Sequence, residues 1–194
     1  MKNIISQYTT AMDELHILTD ISYNTVDGEQ VEDRISNIVD DVLTFLIFAY
    51  TLGIDHASAM LDYALTADLG KMEESIFLRI DGETFEDRVE AHVRDKHLPS
   101  LKNLVESEFH RVYNNALHDG AEEFRRREGV TVLKNWVTVR DDKVRATHDY
   151  LEGTTVAFTE DFYTFDGDHA PYPGRFARVE NNANCRCIVR LSRT

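Results

Sequence analysis

Apolar residues recur with a helical period through the first two-thirds of the chain. Glu32 to Tyr50 sets Ile35, Ile38, Val39, Val42, Phe45, Leu46 and Phe48 at helical spacing, with Asp33, Asp40 and Asp41 on the other side. This pattern predicts an amphipathic helix, which Gly53 is expected to stop. Asp55 to Ala67 reads as a second, short helix, with Asp55 as N-cap and Met60, Leu61 and Leu65 facing inward. Asp81-Gly82 predicts a turn, and Thr84 can cap a helix beginning at Phe85. Phe85 to Glu128 carries the longest helical pattern. Pro99 interrupts it after Leu98, so a break or kink is expected there. Beyond it, Leu101, Leu104, Val105, Phe109, Val112, Tyr113, Ala116 and Leu117 continue the apolar stripe.

The period changes at Val130. Val130 to Val139 alternates and is rich in β-branched residues, which predicts a strand. Asp141 or Asp142 can cap a short helix from Lys143 to Leu151, which Gly153 ends. Thr154 to Phe158 and Ile188 to Leu191 read as further strands. The Gly-, Pro-, Asp- and aromatic-rich stretch from Asp161 to Arg178 reads as ordered loop. The expected fold is therefore α+β: a mainly helical region over residues 1–129, then a small mixed domain over 130–194.

Composition narrows the function. Met1 to Ser100 holds 7 Lys and Arg against 20 Asp and Glu, whereas Leu101 to Thr194 holds 14 against 15. Nearly all of the net charge of −14 thus lies in the first half. Phosphate neutralisation needs clustered Lys and Arg, so the acidic half is not expected to contact nucleic acid. The one basic run, Arg125-Arg126-Arg127, reads as a solvated helix end before Gly129. The most apolar window, Val42 to Leu52, spans eleven residues. A bilayer crossing needs about twenty, so a buried helix and no membrane contact are expected. Met1-Lys2 is not followed by a sustained apolar core, so no signal peptide is expected. Two cysteines separated by one arginine are poorly placed to bridge each other, which argues for a reducing compartment or for metal ligation. A soluble protein made in a cytoplasm is the expectation.

Rare residue types concentrate between Trp136 and Cys187: the only tryptophan, both cysteines and two of the three prolines. The string W-V-T-V-R-D-D-K-V-R-A-T-H-D-Y-L-E-G (Trp136 to Gly153) is followed by Phe162 or Phe165, Tyr172-Pro173-Gly174 and Asn184-Cys185-Arg186-Cys187. Upstream, Ser107 to Ala116 carries Glu108, Arg111 and Asn114 in an E-x-x-R-x-x-N-x-A arrangement. This ordered set resembles the phage Mu F-like minor head proteins, over roughly Leu101 to Leu191. The motif positions are Glu108, Arg111, Asn114, Trp136, Asp142, Arg145, Gly153, Pro173 and Asn184. The resemblance implies a minor component of a phage or prophage head, acting in head morphogenesis with the portal and procapsid and in DNA packaging or ejection. The implied partners are portal, major capsid or scaffold proteins, with self-association a further expectation. The implied location is the virion head, after synthesis in the host cytoplasm. No settled catalytic activity is implied.

Some members of that family carry C-x-x-C and H-x-x-C-x-C, which together look like a zinc site. Here Arg145 stands in place of the first cysteine, His148 of the second, and Asn182 of the histidine, leaving His148, Cys185 and Cys187. A structural zinc normally takes four ligands, and Asp142, Asp149 or His169 are candidates for the fourth. The alternative is that His148 hydrogen-bonds within the fold and the cysteines pack beside a C-terminal strand, so no bound cofactor is the primary expectation. Asp141, Asp142, Arg145, His148 and Asp149 can also be read as acid–base machinery of a small toxin-like or metal-dependent enzyme. An i,i+4 ion pair between Arg145 and Asp149 is a simpler reading of two of them, and no catalytic residue is assigned. The remaining histidines (His16, His56, His92, His97, His110, His118 and His169) lack metal-ligand spacing. His110 and His118 are expected at the surface or its boundary. Trp136 is expected to anchor the C-terminal core.

Overall fold

The structure is a computed structural model describing residues 2–24 and 31–194. Five helices come first: α1 (Lys2–Asn24), α2 (Val31–Leu61), α3 (Leu69–Ile76), α4 (Phe85–Arg94) and α5 (Leu98–Glu128). A mixed region comes next, with β1 (Val132–Val137), α6 (Ala146–Asp149), β2 (Thr155–Ala157), β3 (Phe162–Tyr163), β4 (His169–Ala170), α7 (Val179–Asn182) and β5 (Ile188–Arg193). The α+β class holds.

The two 31-residue helices α2 and α5 form the central pair. Gly53 does not stop α2. A Cβ there would stand 2.6 Å from the Ala116 Cβ and from the Tyr113 carbonyl oxygen of α5. The glycine therefore lets two helix backbones approach, at a propensity cost of about 1 kcal/mol relative to alanine. Asp55, expected to cap a separate helix, lies within α2. The helix ends instead at Leu61, before Asp62 in the left-handed region at φ 51°. By length and composition alone α2 could cross a bilayer, yet Ile35, Ile38, Val42, Leu46 and Ala49 are buried against the other helices.

The interruption expected at Pro99 falls just before it. Asp95 to His97 separate α4 from α5, and Pro99 occupies the first turn of α5, where a missing N–H costs nothing. Thr84 and Asp87 cap α4 reciprocally. At its other end α5 stops at Gly129, whose φ of 66° and N–H to the Arg125 carbonyl form an αL cap.

The sheet has the order β2-β1-β5, all antiparallel, with Trp136 opposite Val189. The stretch read as loop from Asp161 contains the β3–β4 hairpin, and residues 179–182 form a turn of helix. The expected Lys143–Leu151 helix shrinks to Ala146–Asp149, because Asp141 closes a turn by accepting the Lys143 N–H instead of capping a helix. Strand β5 packs on α2 and α5, and one continuous apolar cluster runs from Tyr8 to Leu191.

Candidate functional site

Three of the residues singled out by sequence, Glu108, Arg111 and Asn114, are buried on α5. Glu108 is 2% exposed and accepts from Arg88 Nη1 at 2.9 Å and from Arg111 Nη2 at 2.8 Å. Arg111 Nη1 also donates to the Ser75 carbonyl at 2.8 Å. Burial opposes ionisation of Glu108, but the two guanidinium groups outweigh it and hold the carboxyl below its usual range. The cluster ties α3, α4 and α5 together. One turn further on, Asn114 donates to the His110 carbonyl at 3.0 Å and to the Cys187 carbonyl at 3.4 Å, joining α5 to the segment before β5.

Trp136 is fully buried, with its ring centroid 5.1 Å from that of Phe162, 5.4 Å from His148 and 5.7 Å from Phe176. Phe162 is thus the aromatic that enters the core, while Phe165 is exposed. Around the same ring, Gly153 (φ 78°) returns the chain so that its N–H meets the Trp136 carbonyl. Pro173 is buried in the loop that lays Gly174 (φ 88°) against α5, where a Cβ on the glycine would stand 3.5 Å from the Arg111 Cα. Asn184 sits at φ 54°, turning the chain into Cys185.

His148, Cys185 and Cys187 converge, each 3% exposed or less. Both sulfurs lie 3.5 Å from His148 Nδ1, and the three ligand atoms fall within 4.8 Å of one another. Both cysteines precede β5, so neither is bound to the geometry of a regular strand. Burial opposes ionisation of Cys185. Hydrogen bonds from Cys187, His110 and His148, with the charge of His110, overcome it and hold this thiol well below its ordinary range. The hydrogen bond to Cys185, together with burial, drives the Cys187 thiol up. A single imidazole nitrogen offers one lone pair or one proton, so Nδ1 cannot satisfy two thiols at once. A soft divalent cation uses all three donors together, and the set fits zinc.

The other candidates stand elsewhere. Asp142 and Asp149 are exposed, and Asp141 pairs with Arg186 at 2.7 Å, so none of these three carboxylates faces His148 in the manner of acid–base machinery. Arg145 makes no ion pair with Asp149. Its backbone is extended ahead of α6, and its guanidinium donates to the Ala183 carbonyl. His169 lies on the β3–β4 hairpin, exposed and bound to Asp161 at 2.7 Å, too remote to ligate with the cysteines. Asn182, in the position of the missing histidine, clamps the Phe176 backbone through both its amide atoms, at 2.9 and 2.7 Å. Of the basic run, Arg126 and Arg127 pair with Glu123, and Arg125 lies 4.7 Å over the Phe158 ring.

Sequence reasoning missed two groups. His110 is 1% exposed instead of lying at the surface, with Nδ1 2.8 Å from the Tyr8 hydroxyl. Its neighbours Phe109 and Val112 gave a partial signal, since they place it beside the apolar stripe. Asp168 is 4% exposed and accepts from the N–H groups of His169, Ala177 and Arg178 and from Asn181 Nδ2. It organises the loop that carries α7, and its sequence signature is the D-G-D turn.

These features define an α+β protein whose helical layer and small sheet meet over a buried polar seam. The chain belongs to the family described as Phage Mu protein F like protein, a family of phage head proteins, which it matches over residues 73–190. The match begins well before Leu101 and so includes Arg88, the second partner of Glu108. A stretch of 61 residues is 34% identical to the NAD(+)--arginine ADP-ribosyltransferase EFV of Enterococcus faecalis (strain ATCC 700802 / V583). That stretch is 31% of this chain and 12% of the enzyme. No solved structure matches the chain.

Proposed function

We propose that the protein is a minor head component that acts in head morphogenesis by binding, in the virion, next to the portal. The observation that carries this reading is the burial of the motif side chains of α5 and β1 and of the His148, Cys185 and Cys187 trio, while Asp142 and Asn184 are exposed. Glu108, Arg111, Asn114, Trp136, His148, Cys185 and Cys187 lie inside the molecule, where they hold its parts together. The acidic first half supplies the docking surface, suited to a basic face of a portal, major capsid or scaffold protein. Zinc held by His148, Cys185 and Cys187 would supply a cross-link between the α6 segment and the approach to β5.

Quantitative mass spectrometry of purified, nuclease-treated particles tests the reading. A small fixed number of copies per portal ring is expected. Protein found free in the lysate and absent from particles would overturn it.

A further inference from the structure

Helix α4 with the segment before it, α5, and the chain from Pro171 to Asn184 enclose a cleft of about 800 Å³, the size of a ligand pocket. Ile80, Leu104, Phe176 and Val179 give it apolar walls. Four arginines also line it, Arg79, Arg88, Arg111 and Arg175, against one carboxylate, that of Glu108. Glu108 is already taken up by Arg88 and Arg111. Arg175 is exposed and forms no hydrogen bond or ion pair among the described residues. Arg79 donates to the Gly82 carbonyl at 2.9 Å, a neutral acceptor that leaves its charge uncompensated. Deeper in, Arg88 Nη2 is buried with no hydrogen-bond partner among the described residues. A buried donor in that state is costly, and an acceptor entering the cleft relieves it. A chain of net charge −14 thus holds one concave site with surplus positive charge.

We propose that this cleft docks an acidic segment of a partner protein, seating a large apolar side chain against its walls and carboxylates on Arg79, Arg88 and Arg175. An apolar anchor in a pocket, ringed by polar pairs, is how protein interfaces concentrate their affinity. The rim residues Arg79, Asn103, Arg175 and Val179 are exposed, so an occupant continues out into solvent as a peptide does. A small molecule would instead be mostly enclosed. Nucleic acid is disfavoured by the apolar walls and by the acidity of the chain around them. The cleft is opposite in sign to the acidic first half, so the chain carries two docking surfaces of opposite polarity, each suited to a different partner.

The test selects random short peptides, displayed on yeast, against the full chain. Selected sequences are expected to combine Asp or Glu with a large apolar residue, and the synthesised consensus peptide to bind one per chain. Its affinity should fall with added salt. Arg175→Glu and Val179→Asp alter exposed side chains, so both should keep the wild-type circular dichroism while each weakens the peptide at least tenfold. The same peptide with its acids changed to amides should lose at least tenfold on the wild-type chain, a comparison that holds even if a protein variant fails to fold. Selection that yields no binder, binders without acidic residues, or affinity unchanged in either protein variant or in the amide peptide overturns the proposal. A single-stranded oligonucleotide that displaces the peptide at lower concentration than the peptide itself overturns it in favour of nucleic acid. Sedimentation equilibrium should be the same for wild type and Arg175→Glu; self-association that the variant abolishes overturns it by making the occupant a second copy. None of these outcomes changes the copy number expected in particles.

Discussion

Replacing Glu108 with glutamine changes one atom and removes one charge. The carboxylate takes bonds at 2.9 Å from Arg88 and at 2.8 and 3.3 Å from Arg111. Each such charge-assisted bond is worth about 1.5–3 kcal/mol. The glutamine amide would aim its own N–H groups at guanidinium donors, leaving at least one arginine without an acceptor. The side chains of Arg111 and Arg88 are only 8% and 14% exposed, so water cannot replace the lost partner. Breaking a buried pair from one side costs about 3–5 kcal/mol, a drop in Tm of about 10 °C for a chain this size. Guanidinium denaturation followed by the fluorescence of the single, buried Trp136 and by far-UV circular dichroism measures it. The triple variant Glu108→Leu, Arg88→Met, Arg111→Met is the control. It removes both charges together with their partner and should cost much less than Glu108→Gln, apart from the Ser75 carbonyl left unpaired. A loss below about 1 kcal/mol in Glu108→Gln, or a triple variant worse than the single one, would refute the reasoning. The pH dependence has a definite sign. The folded carboxyl titrates below its ordinary value of 4.5, so its contribution is full above that pH and is lost as pH falls through the folded value.

Trp136→Ala should cost about 3–5 kcal/mol, measured by circular dichroism, and a loss under about 0.5 kcal/mol would displace the residue from the core. Gly53→Ala should cost about 1–3 kcal/mol in the same assay through overpacking, since the new methyl meets Ala116 and the Tyr113 carbonyl; a gain in stability would mean that α2 and α5 yield freely. His118 stacks on Phe158 at 4.4 Å, and burial, with the charge of Lys134, lowers its pKa to about 4. Between pH 6.5 and 4 the unfolded chain therefore binds a proton that the folded one refuses, and stability falls with pH. His118→Phe should flatten that part of the profile in thermal melts at successive pH values; an unchanged slope would assign it to other groups.

The helical stripes were legible because burial on one face imposes its period on the sequence, as in Glu32 to Tyr50 and Leu101 to Leu117. Gly53 misled because a glycine that ends a helix and one that admits a neighbouring helix look alike until the neighbour is known. Proline carried a firmer signal: Pro99 marked the α4–α5 break within two residues because its chemistry forbids the helix interior whatever packs around it. Of the candidate site, His148, Cys185 and Cys187 were legible as rare residue types in a set order, and the structure brings their ligand atoms together. The contact of Asn114 with the Cys187 carbonyl was not legible, since only the return of the chain to α5, more than seventy residues later, brings the two together. Asp168 was hidden for a related reason: it serves backbone amides, which carry no residue identity.

Strand β5 gives the chain a folding schedule. It pairs along its whole length with β1, with Ile188 opposite Val137 and Arg193 opposite Val132. It also reaches back to α2, where the Leu191 N–H meets the Met60 sulfur at 3.4 Å. More than fifty residues separate every one of these strand pairs, and 131 separate Met60 from Leu191. Contacts of such long range form late, because loop closure must come before they stabilise anything. Helices α2 and α5 therefore emerge during synthesis with the face meant for β5 still open to water. That interval is when the nascent chain is most prone to associate with other apolar surfaces, and it closes only once residues 188–193 have been made.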